Sequence, residues 1–331
     1  MTQTILVTGA TGYIAKHLIF QLLQKGFAVR GSVRSLDSEA ILRSDLIAAG
    51  LTPEMVTAGL NCVVLDLGSD AGWDAALTGV DALMHTASPF PLAAPKDEET
   101  LIRPAVDGTI RALKAAKNAN VHRVILTSSA AAIVSYPQKL GGAPFDETDW
   151  ADLETSAAYP KSKTLAERAA WDFVSTDAPD MALTTINPGL VLGPPIGQRY
   201  GSSLQVVERA LSGKDPMLPD MGFASVDVRD VAAAHIAALE RPESAGQRFA
   251  CSGGYLEFSD FSAILKAQYP DRKIPTRVAP NLLMRFLALF DPAIRGRWVS
   301  AQRSAAQRRR HNSGSRSGRF QPACWKPQPS C

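Results

Sequence analysis

The sequence predicts a doubly wound α/β fold: a parallel sheet covered by helices on both faces, followed by a smaller C-terminal lobe. Three observations carry that reading. Short β-branched runs alternate with segments of helical period through the first 187 residues. A glycine turn, "GATGYIA" at 9–15, stands between the first such run and the first helical segment. After Pro188 the texture turns proline-rich, which marks a second unit. With 331 residues and 46% hydrophobic content, the chain can bury a core of this size.

In chain order, residues 5–8 form a β-branched run with no room for a helix. The helix after the turn runs to about Lys25. It places Ile14, Leu18, Ile19, Leu22 and Leu23 at helical spacing and stops at Gly26. A strand at 28–33, a helix at 38–49, a strand "CVVLDL" at 62–67 and a strand at 82–86 follow. A long helix over 98–117 leads to "RVILTSS" at 123–129, and a helix containing Tyr159 leads to "ALTTI" at 182–186, ended by Asn187 and Pro188. Such alternation demands right-handed crossovers, hence a parallel sheet. Beyond it, "NPGLVLGPPIG" and "KDPMLPD" frame a helical piece at 202–211. A helix over 228–240 returns to the sheet, "QRFACSG" adds a strand, and 259–268 forms another helix. The expected division is a cofactor-binding domain over 1–187 with sheet contributions from about 222–252, a substrate lobe over 188–295, and a tail over 296–331. Within the lobe, "NLLMRFLALF" is amphipathic around Arg285 and is expected to pack there.

The net charge of +3 is unevenly placed. Nine Lys or Arg and no acid lie between Arg295 and Cys331, which leaves −6 for the rest. Hydrophobic periodicity fails from about Arg297, where Arg, Ser, Gln and Gly take over, so the tail reads as disordered, with no nucleic-acid partner expected. The longest apolar runs, 130–134 and 286–290, fall far short of the ~18 residues that span a bilayer. No charged segment precedes an apolar block at the N-terminus, so neither a membrane nor a secretory route is expected. Cys62, Cys251, Cys324 and Cys331 show no metal-ligand spacing and read as reduced thiols in a cytoplasmic protein.

The chemistry centres on "AYPKSKTLAER", where Tyr159 and Lys163 lie four apart on one helix face. A lysine ammonium beside a phenol favours the phenolate and is expected to lower the tyrosine pKa. Upstream, Gly9 and Gly12 allow a sharp turn and close approach to a pyrophosphate, which would sit on the free N–H groups of the next helix, with Ala15 small enough for close packing. At the end of the second strand, "VRGSVRSLD" puts Arg34 and Ser35 where an acid would bind a ribose 2′-hydroxyl, and Asp37 comes late. A guanidinium there would clamp a 2′-phosphate, so NADP is favoured over NAD.

"TGATGYIA", "TSSA" at 127–130, "YPKSK" at 159–163 and "NPGLVLGP" at 187–194 together resemble the extended short-chain dehydrogenase/reductases, a Rossmann-like family. Within it, "AYPKSKTLAERAAW" and "HTASPF" are most similar to the dihydroflavonol reductase and cinnamoyl-CoA reductase branch and its bacterial relatives. The resemblance covers about residues 4–292. It implies an NADP(H)-dependent oxidoreductase that moves a hydride between nicotinamide and a small-molecule aldehyde or ketone. By resemblance, Tyr159 is the general acid, Lys163 binds the nicotinamide ribose and tunes the tyrosine, and Ser129, the serine immediately before the alanine, holds the carbonyl. Cofactor contacts carried over the same way are Gly9, Thr11, Gly12, Tyr13, Ile14, Arg34, Asp66, Leu67, Ala87, Lys163, Pro188 and Val191. A homodimer through paired helices is also in keeping with the family.

Departures narrow the activity. Asp107 stands where many members place an asparagine, which puts any proton relay through that residue in doubt. Val134 replaces the asparagine that grips flavonoid hydroxyls, which disfavours a flavonoid and favours a more apolar carbonyl. Ala130 and Ala131 replace the acid pair of nucleotide-sugar dehydratases. Two rivals stay open: a nucleotide-sugar epimerase of the same fold, and an NADP-sensing protein without turnover. His85 and His235 sit in apolar contexts and are expected to be structural. Asp227, Arg229 and Asp230 are expected to cap a helix and tie the lobes together.

Overall fold

Alternate residues of the strands face opposite sides of the sheet, and the two cores follow from that alternation. A computed structural model describes residues 2–89, 97–134, 144–198 and 200–280. Strand β1 (Thr4–Val7) sends Ile5 and Val7 into one core and Leu6 into the other. Helix α1 (Tyr13–Gln24) packs Leu18, Ile19 and Leu22 on the first face, all fully buried. It ends where Gly26 takes a left-handed φ of 84°, with Gly26 N–H bonding to Leu23 O and Phe27 N–H to Leu22 O.

There follow β2 (Ala28–Val33), α2 (Asp37–Ala48), α3 (Pro53–Gly59), β3 (Leu60–Val64), α4 (Trp73–Leu77), β4 (Ala82–His85), α5 (Glu99–Asn118) and β5 (Arg123–Thr127). Next come α6 (Ala158–Thr176), β6 (Ala182–Pro188), β7 (Leu190–Leu192), α7 (Gln205–Ser212) and β8 (Gly222–Asp227). Then α8 (Val228–Glu240), β9 (Gln247–Cys251), β10 (Gly254–Glu257) and α9 (Phe258–Gln268) complete the described chain.

The main sheet is wholly parallel in the order β3-β2-β1-β4-β5-β6-β9. Helix α1 joins α2, α3 and α8 on one face, while α4, α5 and α6 cover the other, where Trp73, Leu113 and Phe173 meet Leu83, Val124 and Leu126. The strand order reverses between β1 and β4, so a crevice opens at their carboxyl ends. The second sheet, β10-β8-β7, belongs to the smaller lobe, where Phe223 packs edge-on against Phe258 and Phe261 at 5.0 and 6.0 Å.

Two differences from the expected layout bear on the site. The third strand ends at Val64 rather than at residue 67, because β2 reaches only Val33, which pairs with Val64. Past that point Asp66 Oδ1 accepts from Gly68 N–H at 2.7 Å and turns the chain away. The second difference concerns 222–227, which was expected to contribute to the main sheet. As β8 it pairs with β7 and β10 instead, and the return to the main sheet is made by α8 and β9. Asp227 caps α8, accepting from Arg229 N–H at 2.8 Å and pairing with the Arg229 guanidinium at 2.7 Å. The segment at 281–290, the tail, Cys324 and Cys331 lie outside the described residues. Cys62 and Cys251 are free thiols. Among the described residues no helix is long and apolar enough to cross a membrane, and no group of three or more His, Cys, Asp or Glu could hold a metal.

Candidate active site

The carboxyl ends of six neighbouring strands form one edge. Adjacent strands lie about 4.8 Å apart, so this edge runs about 24 Å from β3 to β6. Along it lie Asp66 and Leu67 after β3, Arg34 after β2, the glycine loop after β1, Ala87 and Ser88 after β4, Ser129 after β5, and Pro188 closing β6. The residues picked out from the sequence are therefore threaded in spatial order along the crevice.

At its centre Gly9 adopts a φ of +67°, and its N–H donates to Ser32 Oγ at 2.9 Å. A Cβ there would lie 3.1 Å from Ala87 Cβ, so a side chain would both strain the backbone and fill the crevice. Gly12 occupies the cap position of α1 with no side chain capping it, so the first-turn N–H groups, those of Tyr13 and Ile14 included, face the loop without intrahelical partners. These features fit a bound pyrophosphate. Thr11 and the exposed Gly12 form the crest of the loop.

The Tyr13 side chain is engaged elsewhere: its hydroxyl donates to Gly193 O at 2.8 Å, and burial raises its pKa. Val191 is buried against Tyr13, Val226 and Val228. Both can therefore offer a cofactor mainly backbone. Arg34 is exposed, with no hydrogen bond or ion pair among the described residues, whereas Asp37, the first residue of α2, has its carboxylate bonded by Ser35 Oγ at 2.9 Å. Leu67 lies against Gly108 of α5. Asp107 points outward and pairs with Arg103 at 3.6 Å.

Beneath the edge, Thr8 Oγ1 accepts N–H bonds from Thr86 and Ala87, each at 3.0 Å, and lies 3.0 Å from His85 Nδ1. Its lone pairs are thus occupied, and its one proton goes to Nδ1, which requires a neutral His85. Burial, with the Lys163 charge second, pushes His85 down to about 4. His235 is likewise structural: its Nδ1 lies 2.7 Å from Val231 O, Thr127 Oγ1 lies 2.7 Å from its Nε2, and burial lowers it to about 4.

Ser129 and Tyr159 meet. Their hydroxyls are hydrogen-bonded, and Ser129 Oγ also accepts from Ala131 N–H at 3.1 Å. The neighbouring Ser128 turns the other way and donates to Glu167. Tyr159 and Lys163 keep part of their surface open, while Ser129 and His85 behind them are buried. Lys163 Nζ donates to Ser88 Oγ at 2.9 Å and lies 6.0 Å from the centre of the Tyr159 ring.

The electrostatics differ from the expectation that Lys163 lowers the tyrosine pKa. Burial raises Tyr159, and the opposing influence is the Ser129 hydroxyl rather than the lysine. Burial also depresses Lys163 to about 8, against the Glu167 carboxylate that pushes it upward. At neutral pH the pair is therefore a protonated phenol beside an ammonium near the edge of its titration. Sequence reasoning passed over Ser88, Glu167 and Arg248. Ser88 falls within the quoted "HTASPF", but nothing in that string shows that it faces Lys163.

Fold and crevice define a dinucleotide-binding α/β protein with a Ser129–Tyr159 hydroxyl pair at the sheet edge. The family model described as the NAD dependent epimerase/dehydratase family matches residues 5–251, and the chain belongs to that family, among the extended short-chain dehydrogenase/reductases. It is 34% identical over 279 residues to Cinnamoyl-CoA reductase 1 of Arabidopsis thaliana, covering 83% of this chain and 77% of the relative. It is 35% identical over 291 residues to Anthocyanidin reductase ((2S)-flavan-3-ol-forming) of Vitis vinifera, covering 83% of each. Among solved structures, yeast methylglyoxal/isovaleraldehyde reductase Gre2 complexed with NADPH superposes with a TM-score of 0.73 at 30% identity, covering 83% of this chain and 85% of that one.

Proposed function

We infer that this chain is an NADP(H)-dependent reductase of small aldehydes or ketones. The observation that carries the reading is the Ser129–Tyr159 hydroxyl pair at the sheet edge, beside Lys163 and in line with the glycine loop. When bound, the reduced nicotinamide supplies a hydride to the carbonyl carbon. As charge builds on the carbonyl oxygen, Ser129 hydrogen-bonds to it and Tyr159 gives it a proton. Two donors aimed where charge develops lower the barrier more than they stabilise the ground state. Because burial keeps Tyr159 protonated, the phenol is poised to donate its proton near neutrality. Lys163 would hold the nicotinamide ribose, Arg34 the 2′-phosphate, and Gly9, Thr11, Gly12, Tyr13 and Ile14 the pyrophosphate. Asp66 and Leu67 would contact the adenine, and Ala87, Pro188 and Val191 would lie against the nicotinamide. Ala130 and Ala131, directly after Ser129, supply no carboxylate for dehydration.

The free thiols suit a reducing cytoplasm, and a homodimer without nucleic acid is the assembly that matches the reading. The test is NADPH oxidation, followed by absorbance, against a panel of aliphatic and aromatic aldehydes and ketones. Turnover of at least one class is expected. Protein that purifies with stoichiometric NAD and leaves the whole panel untouched would point to epimerisation instead, and NADPH binding without any turnover would point to a sensor.

A further inference from the structure

Behind the hydroxyl pair lies a carboxylate that the reduction itself never touches. Glu167 stands one helical turn beyond Lys163 and two beyond Tyr159 on α6, its side chain closed off from solvent. Its Oε2 accepts from the Ser128 hydroxyl at the end of β5 and from the Asn187 amide of β6 at 2.7 Å. Its Oε1 accepts from Arg248 Nε of β9 at 2.6 Å, with the Thr185 hydroxyl of β6 at 3.1 Å. One carboxylate thus joins three adjacent strands to the helix that bears the tyrosine.

Two connections run on toward the reacting groups. Asn187 Nδ2 also donates to the carbonyl oxygen of Ser129 at 3.2 Å, fixing the backbone from which the Ser129 hydroxyl springs. Arg248 donates through Nη1 to Glu147 O at 2.7 Å and Asp149 O at 2.6 Å, and its guanidinium lies 3.8 Å from the centre of the Trp150 ring. The stretch leading into the Tyr159 helix is thereby tied to the same ion pair. Among the described residues Arg248 Nη2 is buried without a hydrogen-bond partner, so Glu167 and the indole face carry much of the offset to its charge.

We propose, resting on the reductase reading above, that Glu167 locked by Arg248 is a positioning residue. It holds the Ser129 strand end through Asn187 and sets a negative charge one turn below the Lys163 ammonium. Among the described residues, the other groups around Lys163 do not supply that charge. Tyr159, on the same helix, is a protonated phenol, and His85 of β4 is neutral. Toward α5, Glu98 is engaged by Lys161 at 2.9 Å, and Asp107 pairs with Arg103.

Glu167→Gln and Arg248→Met break the same ion pair but change the local charge in opposite senses. The readouts are the alkaline limb of NADPH affinity, measured by fluorescence with no carbonyl present, and the alkaline limb of kcat. Glu167→Gln is expected to move both limbs to lower pH by about half a unit or more, Arg248→Met to move them higher, and Glu167→Asp to leave them in place. A brace that only stabilises the fold would lower the melting temperature in both variants while the limbs stay put or move together, and that result overturns the proposal. Should Glu167→Gln not fold, the Arg248→Met shift decides: upward supports the proposal, and no shift or a downward one overturns it. Because the binding limb needs no turnover, it separates failure of this proposal from failure of the reductase reading.

Discussion

Adjacent serines at the end of β5 have opposite partners, and replacing each in turn separates chemistry from packing. Ser129 Oγ touches Tyr159 and caps the short turn at Ala130–Ala132; Ser128 Oγ serves the buried Glu167. Ser129→Ala removes one of two donors aimed at the developing oxyanion. By analogy with the loss of single oxyanion donors, kcat should fall about 10²- to 10³-fold, or roughly 2.7–4 kcal/mol of barrier. Its stability should fall by only about 1 kcal/mol, the usual cost of a lost cap. Ser128→Ala withdraws a donor from a buried carboxylate and should cost about 1–3 kcal/mol of stability. Its kcat should fall by less than about tenfold, since no reacting atom is touched. Steady-state reduction of one panel substrate at saturating NADPH, with urea unfolding of the same preparations, measures both quantities. If Ser129→Ala keeps kcat within about threefold of wild type, or if Ser128→Ala is the more damaging to kcat, the assignment of the catalytic serine is wrong.

Two further outcomes follow from the same geometry. Arg34 is exposed and unpaired among the described residues, so Arg34→Ala should raise the Kd for NADPH about tenfold or more, the loss of roughly one charge-assisted contact. NADH titrated in parallel should change by less than about twofold, and an unchanged NADPH:NADH ratio would exclude Arg34 as the phosphate clamp. His85 and His235 are held near 4 against an ordinary 6.5, so the unfolded chain binds two more protons between those values. Stability is then complete above pH 6.5 and is lost as pH falls toward 4, by about 3 kcal/mol per histidine. Urea unfolding at pH 7 and pH 4.5 checks this, and a flat result contradicts the burial assigned to both rings.

Local pattern made much of this site legible. The β-branched run at Ile5–Val7, the glycine turn and the apolar spacing of α1 each speak through neighbours in sequence, and they placed the crevice. The pair Tyr159 and Lys163 was readable because four residues are one helical turn. Its electrostatics were not: whether an ammonium tunes a phenol depends on burial and distance, and here burial outweighs a lysine 6.0 Å from the ring centre. Glu167 in "TLAER" has the look of a solvated helix residue, and Arg248 in "QRFACSG" that of a strand edge. Their partners come from β5, β6 and the stretch before α6, which meet only once the sheet is assembled. Lys16 was missed for the same reason: it is buried between Asp45 of α2 at 2.9 Å and Ile196 O at 2.6 Å, contacts that no periodicity in α1 announces. The second sheet was not legible either: 222–227 pairs with Leu190–Leu192 and Gly254–Glu257, segments that meet only once the lobe is assembled.

The central claim is that Tyr159 gives the proton while the crevice holds the cofactor independently of it. Tyr159→Phe keeps the ring and removes the hydroxyl, so measuring kcat for carbonyl reduction together with the Kd for NADPH on one preparation tests that claim directly. The account predicts that kcat drops by about 10²-fold or more while the Kd stays within about threefold of wild type. Turnover retained at near wild-type kcat would contradict it.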